Sequence, residues 1–345
     1  MRVEVFTAAS VFRDLQTEWL QLLSQMPFQS VFLTPQWQST WWYHFGGGHQ
    51  LHVLTVRSDD GELQGLAPLM FEHGTAASPR LALIGDLELC DYLDLLIRPA
   101  WQYEVGQALV HYLVSQIGEE TELCLTNLAW CSLTPALLHD RLAAEGLAVE
   151  IDRVETCPTI TLPADWDAYL ATLRGKDRHE MRRKIRRAMA DAQLEYMVTS
   201  NGAELDEHLE TFFALHRMSR QHAKRDFMTA AKAAFFRDMA HRLWSRGWIE
   251  LTVLHADQVP VAALCCFTYG TTYAAYNASY HPDYGHLSVG IVLFANRIQS
   301  AIARRFADFD FLRGDEDYKY RFGATDRPLY QLLARAACPL PEACR

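Results

Sequence analysis

The sequence predicts an α/β protein of two successive domains of one fold, each a mixed, mostly antiparallel sheet flanked by helices. Three observations lead there. Apolar residues recur alternately at the two-residue period of strands and the three-to-four-residue period of helices. An ordered set of segments occurs twice. The chain of 345 residues, 50% hydrophobic and 21% charged, is long enough for two domains of ordinary size.

Residues 1–25 read as a strand followed by an amphipathic helix, with Phe12, Leu15, Trp19, Leu22 and Leu23 at helical spacing. Thr34-Pro35 is an N-cap with proline at the first helical position, and Gly46-Gly47-Gly48 stops the helix that carries Trp37, Trp41, Trp42 and Phe45. Residues 51–71 form a hairpin around the turn Ser58-Asp59-Asp60-Gly61. A strand over 91–97, a helix over 105–117, a strand over 122–125 and a helix over 135–145 follow. The linker is expected over 154–164, where Pro158 and Pro163 bracket a short extended piece.

The second half repeats the plan. Leu54-Thr55-Val56 and Gly65-Leu66-Ala67-Pro68-Leu69 match Leu251-Thr252-Val253 and Val261-Ala262-Ala263-Leu264. Pro99 followed by Val105-Gly106 matches Pro282 followed by Val289-Gly290, and a short strand comes next at Leu123 and at Phe309. Shared order and spacing imply a duplication, with domains over 1–156 and 157–345.

The net charge of −10 divides unevenly. Residues 1–156 hold 7 basic and 20 acidic residues and no lysine, a balance of −13; the remainder holds 25 basic and 22 acidic residues, a balance of +3. An anionic ligand favours the second half. Eight cysteines without C-x-x-C spacing argue against a zinc site and a disulfide framework, and for a reducing, cytoplasmic setting. The first residues alternate like a strand and include an early acid, unlike a signal peptide. The longest apolar run, 259–267, is too short to span a bilayer.

Three features of the second half lack a full counterpart in the first. Residues 174–187 contain eight basic residues in 14, with Arg178, Arg182 and Arg186 on one helical face and Met181, Ile185 and Met189 as an apolar stripe. This suits a phosphate-bearing partner or a solvated helix surface. Next, Ser288 is an expected N-cap, with Val289 and Gly290 opening a helix whose free N–H groups suit phosphate. Last, residues 309–323 run from a short strand through Gly314 into Asp315, Glu316, Asp317, Tyr318 and Lys319, where the first half reads Asn127-Leu128-Ala129-Trp130-Cys131-Ser132. Reactive groups just past a strand end sit on a rigid scaffold.

Strand, Ser-x-Gly at a helix start, strand, then Gly-Asp-x-x-Tyr-Lys resembles the acyltransferase domain of the CelD/BcsL-like branch of the GNAT superfamily. Phe32-Leu33-Thr34-Pro35-x-Trp37, Gly65-Leu66-Ala67-Pro68-Leu69 and the 182–187 basic run fit the same branch, and the likeness covers nearly the whole chain. Tandem GNAT-like domains are also the architecture of the Fem aminoacyltransferases. The turn Leu287-Ser288-Val289-Gly290 has fewer glycines and basic residues than the usual GNAT phosphate loop. The resemblance implies transfer of an acyl group, typically acetyl from acetyl-CoA, to an amine of a small-molecule, sugar or cell-envelope acceptor, without a metal. It places the donor pyrophosphate at Ser288, Val289 and Gly290 with Arg182 and Arg186 as cofactor-binding cations, and makes the first domain a scaffold or acceptor wall. Asp315 or Glu316 is then the base, Tyr318 or Tyr276 protonates the leaving thiolate, and Lys319 neutralises an anionic group. His281 and His286 are alternative bases. A Fem-like enzyme using aminoacyl-tRNA and a non-catalytic binding module are the competing readings. Cys265 and Cys266 lie in an apolar strand, against a covalent acyl-cysteine.

Overall fold

A computed structural model of the chain describes residues 1–72, 79–86, 88–118, 120–219 and 226–337. In chain order they form β1 (Arg2–Phe6), α1 (Val11–Asp14), α2 (Gln16–Leu23), α3 (Pro35–Phe45), β2 (Gln50–Arg57), β3 (Leu63–Glu72), β4 (Arg80–Leu83), β5 (Leu96–Ile97), α4 (Gln102–Gln116), β6 (Glu122–Ala129), α5 (Thr134–Ala144) and β7 (Leu147–Thr161). There follow α6 (Trp166–Thr172), α7 (Gly175–Asp191), β8 (Leu194–Val198), α8 (Gly202–Arg217), α9 (Ala230–Trp244), β9 (Ile249–Ala256), β10 (Val259–Tyr269) and β11 (Thr272–Tyr280). A 3-10 turn (Pro282–Leu287) leads to α10 (Val289–Ala303), β12 (Asp308–Asp310), α11 (Asp317–Arg321) and β13 (Thr325–Ala336).

Two compact units result, Met1–Glu155 together with the chain from Pro328, and Thr156–Arg327. Division at 156/157 assigned everything after 157 to the second half. The last strand departs from that, because β13 pairs antiparallel with β6, Leu329 opposite Ala129 through Ala334 opposite Leu123. The expected linker is also a strand: Thr159, Ile160 and Thr161 of β7 pair with Asp310, Phe309 and Asp308 of β12. Pro158 is accommodated because its carbonyl, not its missing N–H, is the group that bonds, to Phe311 N at 3.0 Å.

Each unit is a mixed, mostly antiparallel sheet with helices. The first has strand order β1-β2-β3-β4-β6-β13 and the second β7-β12-β11-β10-β9-β8. The duplicated segments fall on equivalent elements: β2 and β9, β3 and β10, α4 and α10, β6 and β12. In both units one parallel ladder of three pairs closes the repeat, Arg80–Ala82 against Glu122–Cys124 and Thr272–Ala274 against Asp308–Asp310. Thr34 caps α3 as expected, its hydroxyl accepting from Trp37 N at 3.2 Å.

Three local expectations change. Of 91–97 only Leu96–Ile97 is strand; Asp94 turns its carboxylate onto Leu95 N and the Thr134 hydroxyl, at 2.8 and 2.5 Å, and ties the segment down as an irregular loop. The helix expected over 1–25 is two short helices. On α7, Met181 and Ala188 are buried while Met189 is 65% exposed, so the packed stripe follows the i, i+7 spacing and leaves i+8 in solvent.

Candidate active site

The second unit's core packs Tyr273 and Ala275 of β11, Val292, Phe294 and Ile298 of α10, and Phe309 and Phe311 into one apolar cluster. β12 leaves β11 after Ala274. From there Phe311 N–H donates to Pro158 O and Gly314 N–H to Thr156 O, both at 3.0 Å, so the chain follows β7 instead. From Ala275 to Tyr280 no described strand pairs with that side of β11. That edge of β11 therefore borders the resulting wedge without a strand partner among the described residues.

At one end of the wedge lies the start of α10. Ser288 occupies the N-cap position in the left-handed region (φ 55°) and makes no side-chain cap bond, contrary to expectation, so the first N–H groups of α10 stay uncapped. Nothing lies within 4 Å of where a Cβ on Gly290 would stand. Arg187 reaches this turn from α7, donating to the His286 carbonyl and lying 3.4 Å from the Ser288 hydroxyl. Its Nε is buried without a partner. Uncapped N–H groups, a positive helix end and a guanidinium together favour an anion. Arg187 belonged to the basic run, yet only tertiary packing of α7 on α10 singles it out.

On the other side of the wedge Tyr318 packs against Phe294 and Phe311, with ring centroids 5.6 and 6.1 Å away. Burial, with the Glu316 charge adding to it, pushes the phenol well above its ordinary pKa, so it holds its proton. Among the described residues its hydroxyl makes no hydrogen bond. Asp315 is exposed and equally without a bonded partner. Gly314 has φ 111°, and a Cβ there would meet Glu316 Oε2 at 2.7 Å, so only glycine makes this turn.

Residues 175–320 match the model of an acetyltransferase (GNAT) domain. Over these residues the chain is similar to a GNAT domain. Solved structures resemble the chain over nearly its full length. FemX aligns with a TM-score of 0.63 at 12% identity, covering 96% of this chain and 97% of that one. L-PGS from Bacillus licheniformis gives 0.56 at 13% over 94% and 93%. A tandem GNAT protein from the clavulanic acid biosynthesis pathway gives 0.54 at 15% over 98% and 100%. These likenesses show the fold: two tandem GNAT-like units. No curated protein matches the chain by sequence.

Within the matched region several expected site residues sit apart. Lys319 is turned inward, its ammonium donating to the carbonyls of Leu312, Arg313 and Gly314 at 3.0, 2.9 and 2.9 Å and pairing with Glu316 at 2.9 Å. Its three protons are taken by the turn itself, which leaves none for a ligand anion. A β-bulge explains Tyr276: Cys265 and Cys266 of β10 face Asn277 and Ala275, so Tyr276 is the extra residue. Its ring stacks on Phe236 of α9 and packs on Phe267, away from the Phe294 cluster that holds Tyr318. The bulge also turns Asn277 towards α8, where its Oδ1 lies 2.8 Å from Nε2 of buried His216. Sequence reasoning missed this pair, which a bulge brings together over 61 positions.

Arg182 and Arg186 line a cleft beside α6 rather than the Ser288 turn. His281 and His286 serve the 3-10 turn, bonding the backbone of Asp283 at 3.3 and 3.2 Å. Burial pushes the Cys265 thiol up to about 12 and Cys266 well above its ordinary value, so neither supplies a thiolate.

The first unit fills the equivalent space with its own chain. Cys90, Tyr92, Leu93 and Leu95 are buried there, Leu93 N–H donates to Asn127 O at 3.0 Å, and Asn127 Nδ2 to Cys90 O at 2.6 Å. A Cβ on Gly106, the counterpart of Gly290, would meet Leu137 at 2.8 Å. Among the described residues no helix is long and apolar enough to cross a membrane.

Proposed function

We propose that the GNAT domain transfers an acyl group, acetyl in the simplest case, from a coenzyme A thioester to a primary amine. The acceptor is a small molecule, sugar or cell-envelope precursor. The observation that carries this reading is the wedge between β11 and the departing β12, bounded by an uncapped helix start with Arg187 beside it. The unpaired edge of β11 supports an amide-bearing arm in the wedge, and the uncapped start of α10 supports a pyrophosphate on the N–H groups of Val289 and Gly290. The filled space in the first unit supports one donor site per chain and a scaffold role for that unit.

The reaction asks little of side chains beyond position and charge stabilisation. The amine nitrogen attacks the thioester carbonyl, a C–N bond forms and the C–S bond breaks. The amine proton passes to Asp315 or Glu316, directly or through water, and of these Asp315 has the uncommitted carboxylate. Tyr318 stands at the wedge on the leaving-group side. Because its phenol is held well above its usual pKa, it serves the departing thiolate as a hydrogen-bond donor and keeps its own proton; solvent completes the thiol. Replacing Tyr318 by phenylalanine should lower thiol release from acetyl-CoA about tenfold to a hundredfold while acetyl-CoA still binds. Unchanged turnover in Tyr318→Phe would remove Tyr318 from the mechanism.

A further inference from the structure

The basic residues of α7 divide between two flanks of the helix. Arg187 holds the Ser288 turn, and Lys184 lies with Glu180 and Ile291 on the side that faces α10. Arg183 and Lys184 share Glu180 at 2.7 and 3.6 Å. At about 100° of turn per residue, Arg178, Arg182 and Arg186 follow one another about 40° apart, and Arg187 stands about 140° round the helix from Arg182. The first three line a cleft of about 770 Å³ between α6 and α7. Arg182 and Arg186 make no ion pair or hydrogen bond among the described residues, and Arg178 has only the Leu170 carbonyl, at 3.3 Å. Like charges one turn apart repel, and an anion among them relieves the repulsion. The floor of the cleft is apolar: Leu170 and Met181 are buried, and Trp166 and Ile185 pack against the core beside them. Met189, one turn beyond Arg186 on the arginine face, is 65% exposed. A solvated surface accounts for exposed arginines. It does not account for an apolar floor between them, or for a methionine left in water at the end of the stripe.

We propose that this cleft is an anion site in its own right, for a phosphate carried on an apolar stem, and that it works independently of the coenzyme A site proposed above. Guanidinium groups present planar pairs of donors that match the oxygens of a phosphate, and three of them outnumber the single carboxylate of the cleft, Asp167. The phosphate sits across Arg182 and Arg186, which stand about 6 Å apart along the helix axis. The stem lies on Leu170, Ile185 and the indole of Trp166. A cavity of this volume suits a small polar head with several carbons of stem. A bilayer lipid and a free phosphate ester both carry these two parts. The chain as a whole, at −10, repels an anion, so the attraction is confined to this stripe and weakens with salt.

Calorimetry with n-hexyl phosphate and with inorganic phosphate tests this, together with co-sedimentation on phosphatidylcholine vesicles with and without phosphatidic acid. The wild type should bind hexyl phosphate about tenfold or more tightly than inorganic phosphate, the worth of about two methylenes taken out of water. Arg182→Ala/Arg186→Ala should weaken hexyl phosphate binding about tenfold or more. Both side chains are exposed and alanine favours the helix, so the variant folds. Arg187→Ala, on the other flank, and Arg183→Ala, which removes an ion-paired cation outside the cleft, should bind hexyl phosphate as the wild type does. Sedimentation with the phosphatidic acid vesicles alone, lost in the double variant, would assign the stem to a bilayer lipid. Hexyl phosphate binding without sedimentation would assign it to a free phosphate ester. A wild type that shows neither, equal affinities for hexyl phosphate and inorganic phosphate, a double variant that behaves as the wild type does, or loss of binding in Arg187→Ala or Arg183→Ala would overturn the proposal.

Discussion

Lys319→Met separates a clamp from an anion-binding group. Methionine keeps the length and apolar body of the side chain and removes the ammonium. Three carbonyls then lose a donor at 2.9–3.0 Å, one of them buried and two partly so. A buried acceptor without a partner costs about 1–3 kcal/mol, partly offset because a desolvated charge is removed too, and the net is about 3 kcal/mol. The Glu316 pair adds little, since that carboxylate is 58% exposed. For a unit of this size about 3 kcal/mol lowers Tm by roughly 6–12 °C. Thermal unfolding of Lys319→Met and Lys319→Arg, with acetyl-CoA calorimetry below the transition, is the assay. The planar fork of arginine cannot converge on three carbonyls of one turn, so both variants should melt early. Acetyl-CoA affinity of the folded protein should stay within about threefold. An unchanged Tm together with a tenfold or greater loss of affinity would refute the clamp and return Lys319 to the ligand.

Two further outcomes follow from the geometry. Arg187→Ala should weaken acetyl-CoA binding about tenfold or more, read by calorimetry, because it removes the cation at the uncapped helix start. Burial raises the Asp94 carboxyl from 3.8 to about 6, so its contribution to stability is present below the unfolded value near 4 and is lost as pH rises through about 6. Asp94→Asn, whose amide oxygen accepts from the same two donors, should therefore leave stability unchanged at pH near 4. It should raise it at pH 8 by up to about 3 kcal/mol, read by denaturant unfolding at the two pH values.

Much of the fold was legible because its signals are local. Thr34-Pro35 caps a helix by chemistry contained in four residues, and the duplicated order of hairpin, helix and strand survives in periodicity alone. The departures are non-local. Nothing within residues 328–336 says that their partner is β6, some two hundred positions earlier. The site was legible in its address and less so in its assignments. Tyr318 and Asp315 lie where the strand-end pattern put them. Lys319 does not face a ligand, because the acceptors that claim it are backbone carbonyls, which every residue has and no sequence pattern advertises. Ser288 is in the expected place but in the left-handed region, which turns its hydroxyl away from capping. Arg187 rather than Arg182 or Arg186 meets the helix start because α7 turns Met181 and Ala188 into the core, which fixes the rotation of the helix.

On the function proposed above, the wedge and the start of α10 form one acyl-CoA site per chain. Calorimetry of acetyl-CoA against the wild type and Gly290→Val tests it most directly. A Cβ at Gly290 meets no protein atom within 4 Å, so the variant should fold while its side chain stands in the ligand's approach. One acetyl-CoA should bind per wild-type chain, and Gly290→Val should lose binding. No binding to the wild type at about millimolar ligand, two equivalents per chain, or full binding to the variant would contradict it.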